Sequence, residues 1–254
     1  MSHVSYSEIK TWNECSHKHK LQYVQKIDGF KGNLHTAFGT AIHSVCEQGL
    51  LDENLDKEKH FLEEFAKEII SLEDKEVEID KSLREQMMGQ YQPIVSSFRD
   101  ALDNYFEDCE VISTEERLYE DIEGHDLKFK GYIDLVVKTP DGKYHILDWK
   151  TCSWGWNSRK KADKIINYQL TLYKIFWAKK HNVPLEMIET HFGLLKRTAK
   201  KNNTEIFRVT SGPIKVRNAL TFLEKAVINI KKGFSIKNRL ACKYCDFYKT
   251  EHCT

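Results

Sequence analysis

The run GYIDLVVKTPDGKYHILDWKT, Gly131 to Thr151, limits the possible folds more than any other part of the chain. Its two halves, YIDLVVK and YHILDWK, are short and rich in Val, Ile, Tyr and Trp, residues that suit a pleated, half-buried surface. The PDG between them is a three-residue hairpin loop, with Gly142 supplying the left-handed conformation that such loops need. That loop pairs Thr139 with Lys143. The same register sets Asp134 opposite Asp148, with Cβ atoms about 4.5–5.5 Å apart. Asp148 and Lys150 are two residues apart and share a face. The hairpin therefore gathers two carboxylates and one ammonium on strands that otherwise want to be buried. Carboxylates this close repel unless a cation lies between them. Hard oxygen ligands so arranged suit Mg2+ or Mn2+. The plain alternative is an Asp148–Lys150 ion pair on a solvated sheet face, with Asp134 at a bulge or edge.

The rest of the 254-residue chain sets the context. Hydrophobic residues are 41% and charged residues 30%, with a net charge of +1, so any anion-binding surface must be a local patch. No stretch is long or apolar enough to span a membrane, and MSHVSYSEIK lacks the apolar core of a signal peptide. A cytosolic protein is expected. In that reducing setting the seven cysteines point to metal binding where they cluster, rather than to disulfides.

Ser5 and Glu8 offer a capping box opening a helix to about residue 24. Further helices are expected at about 36–51, to about 72, and over 81–108 with a kink or a break at Pro93. Residues 110–150 read as three or more strands. A helix at 163–181, two strands around 188–209 and a helix at 213–232 follow. That order predicts an α/β (or α+β) fold, a central mixed sheet flanked by helices. It is taken as a single domain, 1–254: a mainly helical part (1–109), a catalytic sheet and helix (110–212), and a C-terminal helix with a cysteine tail (213–254).

Other side chains can be set beside the hairpin. Gln169 and Tyr173, four apart in NYQLTLYKIFW, lie on one helical face that can pack beside the aspartates. Taken alone, Tyr173 also reads as a buried aromatic and Gln169 as a boundary residue. His43 and Glu47 share a face in FGTAIHSVCE; His43 is a candidate metal ligand or a structural histidine. Glu116, in STEERLYE, could add a carboxylate, with Glu115 and Glu120 competing for that role.

In this order, His43, GYID, LDWK and QLTLY resemble the PD-(D/E)XK nuclease superfamily, in particular its RecB/AddB-like branch with an H…D…DxK…QxxxY series. The opening SYSEIKTWNECSHKHKLQYV resembles that branch too, and the resemblance spans roughly residues 5–253. It implies a nuclease core with a C-terminal cysteine-rich clamp. It also implies that Asp134 and Asp148 hold a catalytic divalent metal, with the Trp149 backbone carbonyl as a further ligand. Lys150 would position or help deprotonate the attacking water and stabilise charge on the phosphate. His43 would complete the metal site, and Gln169 and Tyr173 would line it. Phosphodiester hydrolysis needs a metal-polarised oxygen and a cation to meet developing charge, and this set supplies both.

The tail CKYCDFYKTEHC spaces Cys242, Cys245 and Cys253 as three thiolates. By resemblance to AddB and to the iron–sulfur exonucleases of CRISPR adaptation, Cys15 joins them around a [4Fe–4S] cluster. A structural Zn2+ on Cys242, Cys245, Cys15 and His252 or Cys253 is the rival, and free buried thiols are the plain reading. Cys46, Cys109 and Cys152 are taken as core or incidental thiols. Arg159, Lys160, Lys161, Lys196 and Arg197 are expected phosphate contacts in a nuclease, and Trp154 and Trp156 could stack on unpaired bases.

The resulting expectation is a metal-dependent DNA exonuclease acting on single-stranded ends, with 5′→3′ polarity by resemblance. It would serve recombination, repair or phage DNA metabolism in the cytoplasm of a bacterium or phage-infected host, with self-association or a repair partner in view. A structure-specific endonuclease and a non-catalytic DNA-binding module on the same fold are the rivals.

Overall fold

The computed structural model describes residues 2–254; Met1, the first residue of the expected 1–254 span, lies outside the described residues. The chain opens with a short strand, β1 (His3–Ser5), and α1 (Tyr6–Glu14). The Ser5 side chain accepts the Glu8 N–H at 3.2 Å, as a cap should. The Glu8 carboxylate, however, meets His19 Nε2 at 2.9 Å. The expected helix to residue 24 is interrupted: Cys15 is extended, with φ −161°, and turns its sulfur toward the backbone of Ile236 and Asn238. α2 (Ser16–His19) resumes and runs on as a π-turn over Lys20–Val24.

α3 (Leu34–Leu51) has a capping box, Asn33 with Thr36, and α4 (Lys57–Asp74) packs on it through Phe61 and Phe65 against Phe38. The expected long helix over 81–108 is three short ones: α5 (Lys81–Met88), α6 (Gln92–Val95) and α7 (Phe98–Tyr105). Of the kink or break expected at Pro93, the structure has the break: Pro93 sits in the first turn of α6, where no backbone donor is needed.

The sheet is built from β2 (Glu110–Asp121), β3 (Lys128–Lys138), β4 (Tyr144–Cys152), β5 (Ile188–Lys196) and β6 (Thr204–Val209), with β1 as the sixth strand among the described residues. The hairpin loop closes as its sequence dictates: Thr139 N–H donates to Lys143 O at 3.0 Å, and Gly142 has φ +83°. Between β4 and β5, which run parallel, lie α8 (Ser158–Lys161) and α9 (Lys164–His181). α10 (Pro213–Lys231) and the cysteine tail end the chain. A mixed sheet flanked by helices is thus the observed fold class. α9, α10 and α1 cover one face and α3 to α7 the other, each over its own apolar cluster. Among the described residues no helix is long and apolar enough to cross a membrane.

One feature of the topology positions the site. β2 takes the whole of one edge of β3. The other edge is shared end to end: β1 pairs with Lys128–Lys130 and β4 with Leu135–Lys138. Between them the sheet forks, because β4 leaves β3 after Leu147 and follows β5 to Cys152.

Candidate active site

Asp134 and Asp148 stand in the crotch of that fork. The ladder ends at Leu135 and Leu147, so the two aspartates are the next pair in the same register. The strands have already begun to separate there, and the Asp134 carboxylate bridges the gap by accepting the Trp149 N–H at 2.6 Å. Trp149 is held in turn by its indole lying flat on Gly193 of β5; a Cβ at Gly193 would come within 2.2 Å of that ring. Glycine is required there for close approach rather than for backbone freedom.

Around Asp148 the contacts are polar. Gln169 of α9 donates to Oδ1 at 2.8 Å and to the Tyr173 hydroxyl at 3.2 Å. The Tyr173 ring lies where a Cβ on Gly131 would be, 2.7 Å from such an atom, so GYID and QLTLY meet physically. Lys150 Nζ is 2.5 Å from Oδ2 as an ion pair. That ammonium is the one polar partner of Oδ2, which is otherwise buried. From the opposite face of the sheet, His43 Nδ1 of α3 reaches to 3.7 Å from Asp134 Oδ2.

The electrostatics follow from crowding two carboxylates in a dry place. Burial raises Asp134 well above the usual carboxylate range, and the Asp148 charge raises it further. Asp148 is also raised by burial, with Lys150 pulling it part of the way back. Burial disfavours the Lys150 ammonium, but the two aspartates outweigh it and its pKa rises. Burial and the Lys150 charge push His43 down to about 4, leaving a neutral imidazole. These groups fit a divalent cation. The paired buried acids repel, one ammonium alone offsets their charge, and a neutral histidine stands beside them.

The expected third carboxylate is corrected by the structure. Glu116 pairs with Ile133 and is caged by Ser113 (2.6 Å), Trp177 Nε1 (2.9 Å), Lys180 (2.7 Å) and His181 (2.6 Å). Trp177 is eight residues along α9 from Gln169, about 12 Å away along the helix. Those donors outweigh the effect of burial and hold Glu116 down to about 2. The neighbour of Asp134 on β2 is instead Glu115, bracketed by the Glu116–Ile133 and Thr114–Leu135 pairs. It sits at φ +45°, a left-handed conformation that costs a side-chain-bearing residue about 1 kcal/mol or more. Its pKa is raised by burial, and the charges of Glu47 and Asp148 raise it further. Tyr6 was missed in the sequence. It donates to Ile165 O and feels the Asp148 charge. Only the tertiary docking of α1 on α9 brings it there.

The basic and aromatic candidates divide. Trp154 is 78% exposed, and Arg159 and Lys160 are exposed as well. Trp156 is not available for stacking, because it packs on Phe192 and Phe207 under the Lys160 ammonium. Lys161 and the buried Lys196 share Glu205, at 2.5 and 3.1 Å. Arg197 is turned inward to Gln90 Oε1 and the Phe38 ring. A charged side chain with a partner at hand gains more from that partner than from solvent, so a run of cations in sequence does not imply a run on the surface. Far from the fork, Cys15, Cys242, Cys245 and Cys253 all line one small pocket.

The sequence matches the model of the PD-(D/E)XK nuclease superfamily over residues 3–250. Among solved structures, the chain is similar to a candidate exonuclease from Eubacterium rectale at 12% identity, with a TM-score of 0.62. The match covers 98% of this chain and 89% of that one. At such identity the likeness is one of fold. A second structure, SSO0001, aligns at 15% identity with a TM-score of 0.37, covering 65% of this chain and 74% of that one; it carries no argument. No curated protein matches the sequence.

Proposed function

The chain belongs to the PD-(D/E)XK nuclease superfamily, and on that premise we propose that it is a divalent-metal-dependent DNA exonuclease whose active site is the strand fork. The observation that carries this reading is the convergence of Asp134, Asp148, Lys150, His43 and Gln169 from β3, β4, α3 and α9 on one cleft. Asp134, Asp148, His43 and the Trp149 carbonyl would hold Mg2+ or Mn2+, which when bound supplies a Lewis acid and a water of lowered pKa. Lys150 places a positive charge beside the scissile phosphate, where charge develops. Gln169 fixes the Asp148 carboxylate through Oδ1 and leaves Oδ2 to Lys150 and the metal. Glu115 and Glu47 add carboxylates at the mouth of the cleft. Trp154, Arg159 and Lys160 are the exposed groups suited to a single strand.

The same reading assigns the chain to the RecB/AddB-like branch, as one domain, with 5′→3′ polarity. It assigns the four-cysteine pocket to a [4Fe–4S] cluster. Asn238 N–H points at the Cys15 sulfur at 3.4 Å, a donor suited to a thiolate. Four thiolates are the usual ligand set of such a cluster, and a single tetrahedral Zn2+ is the rival occupant. Cys15→Ala should bleach the visible absorption of the protein as isolated without air; an unchanged spectrum would remove Cys15 from the ligand set.

The deciding experiment is a Mn2+-dependent cleavage assay. It compares end-labelled linear single-stranded DNA with closed circular single strands, with Asp148→Ala as control. Loss of the linear DNA alone identifies an exonuclease, and the label released first sets the polarity. Cutting of the circle makes it an endonuclease. Binding without cleavage makes the fork a relic.

A further inference from the structure

A second group of potential ligands lies on the other face of the sheet, apart from the carboxylate fork. β4 and β5 run parallel with His145 beside Glu189 and Leu147 beside His191. Side chains alternate along each strand, so His145, Glu189 and His191 share one face, with Leu147 and Trp149, under α7. Asp148 faces α9 instead, and is three residues, about 10 Å, farther along β4. One ligand atom from each of the three residues falls within 4.8 Å of the other two. His145 Nδ1 is 3.1 Å from His191 Nε2 and 4.0 Å from Glu189 Oε2.

Hydrogen bonding settles which nitrogen of His145 is free. The Thr139 hydroxyl is 2.5 Å from the Asp141 carboxylate, to which it must donate. Having one proton, it can only accept from His145 Nε2, 2.9 Å away. His145 therefore carries its proton on Nε2, and its Nδ1 lone pair points at His191 and Glu189. A hydrogen bond from the outer nitrogen is how metal-binding histidines are usually oriented. Glu189 is prepared in a similar way. Its Oε1 is held by Arg208 at 3.0 Å and Lys143 at 3.7 Å, which leaves Oε2 for the histidines. Phe106 walls the group from below, its ring 4.8 and 4.9 Å from the two imidazoles. An opening lined by Tyr105, Asp141 and Arg208 leads to solvent.

We propose that His145 Nδ1, His191 Nε2 and Glu189 Oε2 form a second metal site, which takes a Zn2+-class ion. Two imidazoles and one carboxylate are a donor set that borderline ions accept, and Mg2+ does not favour imidazole. Three protein ligands leave a fourth position for water at the opening. The bound ion joins the starts of β4 and β5 and braces the strand that carries Asp148 and Lys150. The plain alternative is a buried pair of histidines joined by one hydrogen bond.

The test is a Zn2+ titration of the chelator-stripped full chain against a chromogenic chelator. It compares the wild type with Glu189→Gln, His191→Gln and Asp134→Asn, each checked for folding by circular dichroism. The expected result is one tightly held equivalent fewer in Glu189→Gln and His191→Gln, with that equivalent kept in Asp134→Asn. If His191→Gln, at a buried position, fails to fold, Glu189→Gln decides alone. Equal stoichiometry in the wild type and Glu189→Gln would overturn the site. Loss of the equivalent in Asp134→Asn alone would place the ion at the fork, and also overturn it.

Discussion

Two adjacent glutamates show how finely single residues divide the labour. Glu115 and Glu116 differ by one position, and the left-handed turn of the backbone at Glu115 gives them different surroundings. Glu116 is spent on four donors, while Glu115 is left at the mouth of the cleft in a strained conformation. Glu115→Gln should therefore slow cleavage at saturating Mn2+ without changing the melting temperature by more than a degree or so. Glu116→Gln should do the reverse, with full activity per folded molecule and a lower melting point. Asp148→Asn or Lys150→Ala should each reduce kcat by about 10^2-fold or more, with circular dichroism unchanged. Persistent cleavage in both would move the active site elsewhere.

At the scale of elements, the contact of Gly193 with Trp149 links β5 to the fork. A methyl at Gly193 must displace the indole or the strand, and Trp149 N–H is what holds the Asp134 carboxylate. Gly193→Ala should cost about 1–3 kcal/mol in a denaturant melt and lower kcat as well; a purely structural contact would lower stability alone. This scale also shows what the sequence could reveal. The β3–β4 hairpin and its register were legible because three loop residues determine them. α9 was legible because its face repeats every three to four residues. The break at Cys15 was not, since it depends on a partner more than 220 residues away. Nor was the choice of Glu115 over Glu116, which a register shift between Val111 and Ser113 helps to set. The burial of Trp156 and Lys196 depends on Phe207 and Glu205, across a turn whose pairing no local pattern states.

For the whole molecule, the Glu116 cage ties β2 to the end of α9 and makes stability depend on pH. Its folded pKa, about 2, lies below the usual glutamate value of 4.5. The stabilisation is therefore fully present above pH 4.5 and lost as pH falls through about 2. After allowance for solvent screening at the rim of the cage, it is on the order of 2 kcal/mol. The stability gap between wild type and Glu116→Gln, measured by denaturant melts, should narrow steadily from pH 4.5 downward; a constant gap would mean that the cage acts through packing alone. A different constraint comes from the other end of the chain. Ser16, His17 and the backbone at Glu14 bond to Ser235, Ile236 and Asn238. A ribosome therefore makes the first half of this seam long before the second. The sheet can assemble as its strands emerge, but α1 and α2 must wait for residues some 220 positions later before their polar edge is satisfied. Closure of this seam is therefore among the last contacts that a chain made from its N-terminus can form, however early the sheet assembles.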